Sequence, residues 1–153
     1  GLGGRIGGHQ GGAHAIEGGV PGVVHVAGHR PYFETVDLLR EAAAVLLVLG
    51  DRSGPGVYTA KLFNYLASGR PVLALVPADN VAAELVRRTR SGTVVPPGDA
   101  AAAADALVGL YERWRAGRDL PDQDRETIGA FGARRQAVEW AALLDALAGG
   151  GGA

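Results

Sequence analysis

Cysteine is absent from this chain, which removes disulfides, thiolate nucleophiles and cysteine-based metal centres from consideration. That absence permits a reducing compartment, and a cytoplasmic location is expected. Long apolar runs are missing too. The longest, from Ala42 to Leu49, has eight residues, far below the roughly 20 that a membrane-spanning helix needs. No transmembrane segment is expected, although peripheral contact with a membrane remains compatible with the composition. A strong charge of either sign is also lacking. The net charge is −1, so there is no general electrostatic case for a nucleic-acid partner. Lysine is nearly missing, since 14 of the 15 basic residues are arginine and the single lysine is Lys61. Methionine is missing altogether, even at position 1, and a chain that opens on Gly1 is expected to be a fragment or a processed product.

What is present suffices for one core, because 153 residues fit one domain and not two of ordinary size. Residues 1–22 contain ten glycines, which raise the entropy cost of ordering and give little to bury. This segment is expected to be loop, disordered or the remnant of a truncated element. A Rossmann-like domain is expected over 23–148, with a glycine tail over 149–153. Within the domain, Val23–Ala27 reads as a strand and Gly28–Pro31 as a loop. The pattern Phe33, Val36, Leu39, Ala43 predicts a helix from Pro31 to about Ala44. Val45–Leu49 is a continuous apolar strand, as expected where helices cover both sheet faces.

The centre of the chain is Tyr58 to Leu75. Leu62, Phe63, Leu66 and Ala67 gather on one helical face and leave Lys61, Asn64 and Ser68 on the other. Gly69 suits the left-handed residue that ends a helix, Pro71 cannot continue one, and Val72–Leu75 is a buried-strand run. Further on, Asp79 or Asn80 caps a helix to about Arg90, stopped by Gly92, and Thr93–Val95 is a strand. Asp99 caps an alanine-rich helix to about Trp114. Residues 115–127 read as a loop, and Phe131–Leu147 as a last helix with apolar surface left over for a neighbour beyond the sheet. Strands alternating with helices imply right-handed crossovers, a parallel sheet and an α/β Rossmann-like fold with helices on both faces. Ligands of such sheets sit at the carboxyl ends of the strands.

Several motifs are absent. Neither G-x-G-x-x-G nor G-x-x-x-x-G-K-[ST] occurs, which disfavours an ordinary dinucleotide or P-loop site. His9 and His14 sit in glycine-rich sequence that supplies no further metal ligands, and His25 lies within an apolar strand. Ser53, His29 and Asp51 could form a catalytic set on paper, but no Gly-x-Ser-x-Gly elbow surrounds Ser53. His29 and Arg30 occupy a loop at a strand's carboxyl end, where side chains face either a ligand or solvent. The glycine-rich loop Ser53–Val57 feeds a helix start, where backbone N–H groups can meet an anion. Lys61 and Asn64 follow it, either as solvated polar residues or as a cation for phosphate and an amide for a sugar hydroxyl.

Lys61-Leu62-Phe63-Asn64-Tyr65-Leu66-Ala67-Ser68-Gly69-Arg70-Pro71-Val72 resembles the K-L-F-E-Y-[LM]-A-[AS]-G-[KR]-P-V motif in the carboxyl-terminal domain of GT-B glycosyltransferases of the family 4 type. Ala43–Leu49 is similar to that family's A-D-V-L-[LV] strand. Gly92-Thr93-Val94-Val95-Pro96-Pro97-Gly98-Asp99 is similar to its G-x-[LV]-V-x-P-x-D element. The resemblance extends over about Val20 to Tyr111.

The resemblance implies the donor half of a glycosyltransferase, which passes a sugar from a nucleotide-activated donor to an acceptor hydroxyl in carbohydrate biosynthesis. The backbone of Gly56, Val57, Tyr58 and Thr59 matches the loop that approaches the diphosphate and Lys61 the motif's basic position, while Gly54 of the glycine-rich loop and His29 and Arg30 of the strand-end loop join them as expected donor-binding residues from their place in the chain. The family's motif holds the ribose hydroxyls with a carboxylate, and Asn64 stands at that position. An amino-terminal acceptor domain would complete the enzyme. The nucleotide-sugar would be substrate, with no cofactor or metal called for, and catalytic residues are unassigned. Two other readings stay open: a non-catalytic Rossmann-like interaction module with a lapsed site, and a relative of the nucleotide-sugar 2-epimerases.

Overall fold

The computed structural model describes residues 28–50, 56, 58–117 and 123–149. The chain divides into two compact units, Gly1–Tyr32 and Phe33–Ala153. Of the first, residues 28–32 are described, and all are exposed. The expected strand Val23–Ala27 and the glycine-rich ends lie outside the described residues.

The second unit is a three-stranded parallel sheet with helices on both faces, as its alternating pattern predicts. In chain order the elements are α1 (Tyr32–Glu41), β1 (Val45–Val48), α2 (Ala60–Ser68), β2 (Val72–Leu75), α3 (Val81–Arg88), β3 (Gly92–Val95), α4 (Ala100–Arg115), α5 (Arg125–Ala130) and α6 (Ala133–Gly149). The sheet order is β1-β2-β3. Val45 pairs with Val72, and Val72 with Gly92. Because side chains alternate along a strand, this register sends Val45, Leu47, Val72 and Ala74 to one face. There they form the core with Leu62 and Leu66 of α2 and Leu85 and Val86 of α3.

The opposite face is thinner. Leu46, Leu73 and Leu75 meet Ala103, Leu107 and Leu110 of α4 across an apolar groove of about 330 Å³. Leu46 is 52% exposed and Val48 is 60% exposed. The continuous apolar run of β1 therefore does not mean cover on both faces: β1 is covered on one.

Local signals set most helix ends. Gly69 adopts φ 71°, and its N–H donates to the Leu66 carbonyl, which closes α2. Asn80 Oδ1 accepts from Ala82 N at 2.8 Å and caps α3. Asp99 Oδ1 accepts from Ala102 N at 2.9 Å and caps α4. Gly92 has a different task from the expected helix stop. It opens β3, where a side-chain carbon would lie 1.8 Å from the Val72 carbonyl oxygen, so only glycine lets the strands approach. The left-handed residue after α3 is Arg90, at φ 51°.

Three further expectations are corrected. The first helix ends at Glu41 rather than near Ala44, and Phe33 on it is 79% exposed. Ala67 faces solvent instead of the core, being rotated past the line from Leu62 to Leu66. Part of the polar stretch 115–127 forms the start of α5. Asp124 caps this helix, accepting from Thr127 N at 2.9 Å, and Ile128 and Phe131 pack on the core.

Candidate functional site

The two ends of α2 differ in how their polar groups are satisfied. At the carboxyl end, Ser68 Oγ donates to the Tyr65 carbonyl at 2.6 Å and accepts from Arg70 N at 3.2 Å. Gln123 Nε2 donates to the Gly69 carbonyl at 3.3 Å. Gln123 Oε1, however, is buried there with no hydrogen-bond partner among the described residues. At the amino end Thr59 holds the capping position with extended backbone, yet its side chain makes no cap hydrogen bond. Thr59 Oγ1 is buried and has no hydrogen-bond partner among the described residues. A buried hydroxyl without a partner loses its hydration for nothing in return, so this atom marks a place where a bound group would be favoured.

Beside it opens a cleft of about 490 Å³, lined by Leu46, Leu47 and Val48 of β1, by Leu49 just after it, by the cap residue Thr59 and by Ala60, Lys61 and Tyr65 of α2. It follows β1 towards its carboxyl end, the ligand side of an α/β sheet. The first N–H groups of a helix have no partner within it and carry its positive pole. The first turn of α2 has no acidic residue to neutralise them. Lys61, exposed at the rim, adds a full positive charge. The cleft thus combines an apolar wall, a cation, an unpartnered hydroxyl and helix-start amides, which suits an anion attached to a less polar body.

Of the residues expected to bind a donor, Thr59 and Lys61 are brought together at this cleft. Tyr58 is 45% exposed beside them, with its ring 5.6 Å from that of Phe63. Gly56 is an exposed turn residue. Asn64 is half-buried on the next turn of α2 and is not among the cleft-lining side chains. Gly54 and Val57 lie outside the described residues, as do Asp51 and Ser53 of the paper catalytic set. His29 and Arg30 belong to the other compact unit, where both are exposed. Sequence reasoning missed Tyr65, which lines the cleft four residues after Lys61; that helical spacing was the available signal.

Among the described residues no group of three histidine, aspartate or glutamate side chains could hold a metal ion. No described helix is long and apolar enough to cross a membrane. Phe131, which follows α5 and packs on the core, brings its ring 5.5 Å from Phe63 of α2, and the Arg88 guanidinium lies over it at 5.9 Å. These contacts hold α2 near its middle, at Phe63, while Thr59, Ala60, Lys61 and Tyr65 line the cleft.

Residues 6–113 match the family model described as glycosyl transferases group 1. That span covers more than half of the chain and includes both the cleft and the sheet beneath it. No curated protein and no solved structure matches the chain.

Proposed function

The chain belongs to the group 1 glycosyl transferases, and on that premise we propose that the cleft at the start of α2 binds the diphosphate of a nucleotide-activated sugar. The reaction would transfer the sugar to an acceptor hydroxyl. The bond between the anomeric carbon and the phosphate oxygen breaks, a glycosidic bond to the acceptor oxygen forms, the nucleoside diphosphate departs with the electron pair, and the acceptor hydroxyl's proton passes to solvent or to the departing phosphate. Its developing charge would be met by the Ala60 and Lys61 amides, the Lys61 ammonium and the Thr59 hydroxyl, all in place before the reaction begins. Tyr65 and the apolar wall of β1 would face the less charged part of the donor. Asn64, one turn further along α2, would offer its amide to the ribose hydroxyls in place of a carboxylate.

The observation that carries this reading is the unpartnered Thr59 hydroxyl beside Lys61 at an open helix start. Calorimetric titration of the chain with UDP and GDP tests it. Binding of either, weakened roughly 10- to 100-fold by Lys61→Ala through loss of a charge-assisted contact of about 1.5–3 kcal/mol, supports it. No heat with either nucleotide at millimolar concentration rejects it. The interaction-module reading is tested by Asn64→Glu: a marked gain in nucleotide affinity would indicate a lapsed site, and a loss would identify Asn64 as the selected ligand.

A further inference from the structure

The cleft at the start of α2 changes character along its length. Its mouth holds the Thr59 hydroxyl, the helix-start amides and the Lys61 ammonium. Among the described residues that line it, Lys61 alone carries charge. From the mouth α2 runs back along β1, and Tyr65 lies about 9 Å beyond Thr59 along the helix axis at 1.5 Å per residue. The facing wall runs from Leu49 to Leu46, about 10 Å of extended chain. One end is therefore built for charge and the other is not.

The inner end still offers directional hydrogen bonds. Among the described residues β1 is an edge strand, and an edge strand presents backbone N–H and C=O groups to its open side. Val45 N donates to the Pro71 carbonyl at 2.8 Å and Leu49 N to the Leu75 carbonyl at 3.0 Å. Backbone groups of successive strand residues point to opposite edges, so Leu46 and Val48 turn theirs away from β2, and both residues line the cleft. Tyr65 adds an aromatic ring that packs against the core and a hydroxyl able to donate and accept. Such an end suits a flat ring better than a sugar. A sugar carries hydroxyls around its whole circumference, and each one buried without a partner is penalised. A nucleobase has two apolar faces and keeps its donors and acceptors on its rim.

We propose that the inner end of this cleft is the nucleobase subsite, where the Tyr65 ring and the apolar wall hold the faces of the base and the outward backbone groups of Leu46 and Val48 read its rim. The assignment rests on the donor reading of the cleft and extends it, by placing the base rather than the transferred sugar along β1. The diphosphate stays at Thr59 and Lys61, and the ribose spans the interval. The transferred sugar then points out of the mouth, where an acceptor can reach it.

Calorimetric titration of the chain with inorganic pyrophosphate, UDP and GDP separates the two ends, because all three carry the diphosphate and only the nucleotides carry a base. The better of UDP and GDP should bind at least about 10-fold tighter than pyrophosphate. Tyr65→Ala should weaken that nucleotide roughly 10- to 100-fold and leave pyrophosphate unchanged, whereas Tyr65→Phe keeps the ring and should retain most of the advantage. Val48→Pro deletes an outward N–H, which an edge strand tolerates, and should weaken the nucleotide selectively as well. A nucleotide that binds no tighter than pyrophosphate overturns the assignment while leaving the anion site in place. So does a Tyr65→Ala or Val48→Pro chain that keeps the full nucleotide advantage, or one that loses pyrophosphate and nucleotide alike, the mark of a merely structural role. No heat with any of the three rejects the donor reading itself, and the base subsite with it.

Discussion

The two ends of α2 show how one helix can serve both stability and binding. The carboxyl end is closed by its left-handed glycine, by the Ser68 hydroxyl and by Gln123 from the segment before α5. The amino end leaves a buried hydroxyl unsatisfied and places the chain's single lysine at the mouth of a cleft. A helix that only needed to be stable would use the Thr59 hydroxyl as its cap. Because Gln123 Oε1 at the carboxyl end is also buried without a partner among the described residues, the open end is set apart by the cleft and the lysine beside its unsatisfied hydroxyl rather than by that hydroxyl alone.

The strongest way to break this contrast is to loosen what anchors both ends. Leu66 is 2% exposed, and Leu66→Ala should lower unfolding stability by about 2–5 kcal/mol, as read by denaturant midpoint. Next comes a change confined to the open end. Lys61→Ala should weaken UDP or GDP binding roughly 10- to 100-fold while leaving the melting temperature unchanged, since the side chain is exposed.

Thr59→Val sharpens the comparison further because its two effects have opposite signs. Removing a buried hydroxyl without a partner should leave the free protein as stable or up to about 1–3 kcal/mol more stable, while nucleotide affinity falls. A loss of stability on this substitution would show that the hydroxyl is already satisfied. The smallest effect concerns Asp124, which closes α5 next to the fixed end. Hydrogen bonds from the Thr127 backbone and side chain, with help from the Arg90 charge, hold its carboxyl below the ordinary value of 3.8. A depressed carboxylate stabilises the fold above its unfolded pKa, and that contribution is lost as pH falls through the folded value. The stability difference between the native chain and Asp124→Asn should therefore be constant above about pH 5 and shrink in more acidic solution, as followed by thermal melts.

The sequence makes the closed end more legible than the open one, for a physical reason. Gly69, Asn80 and Asp99 act on backbone groups within three residues of themselves, so their roles follow from residue type and spacing. The parallel sheet is equally legible, because apolar strands alternating with helices leave few arrangements. Gly92 is not, since the contact that demands glycine lies across the sheet at Val72. Helix α5 hides in polar sequence, and only Asp124 with Thr127 three residues later announces it. The open cover of β1 escapes as well: an apolar run states what a strand can bury, not whether anything lies over it. At the site, Lys61 and the helix start are readable from the pattern, whereas the isolation of the Thr59 hydroxyl and the inclusion of Tyr65 depend on how β1 and α2 are placed.

The central claim is that the open end of α2 receives the anionic part of the donor, and backbone amide chemical shifts recorded during a UDP titration test it most directly. Shifts concentrated at Thr59, Ala60 and Lys61, with Ser68, Gly69 and Arg70 unmoved, are the predicted result. Shifts that spare Thr59 to Lys61 and appear instead in the cleft between Arg90 and Arg113 would contradict it.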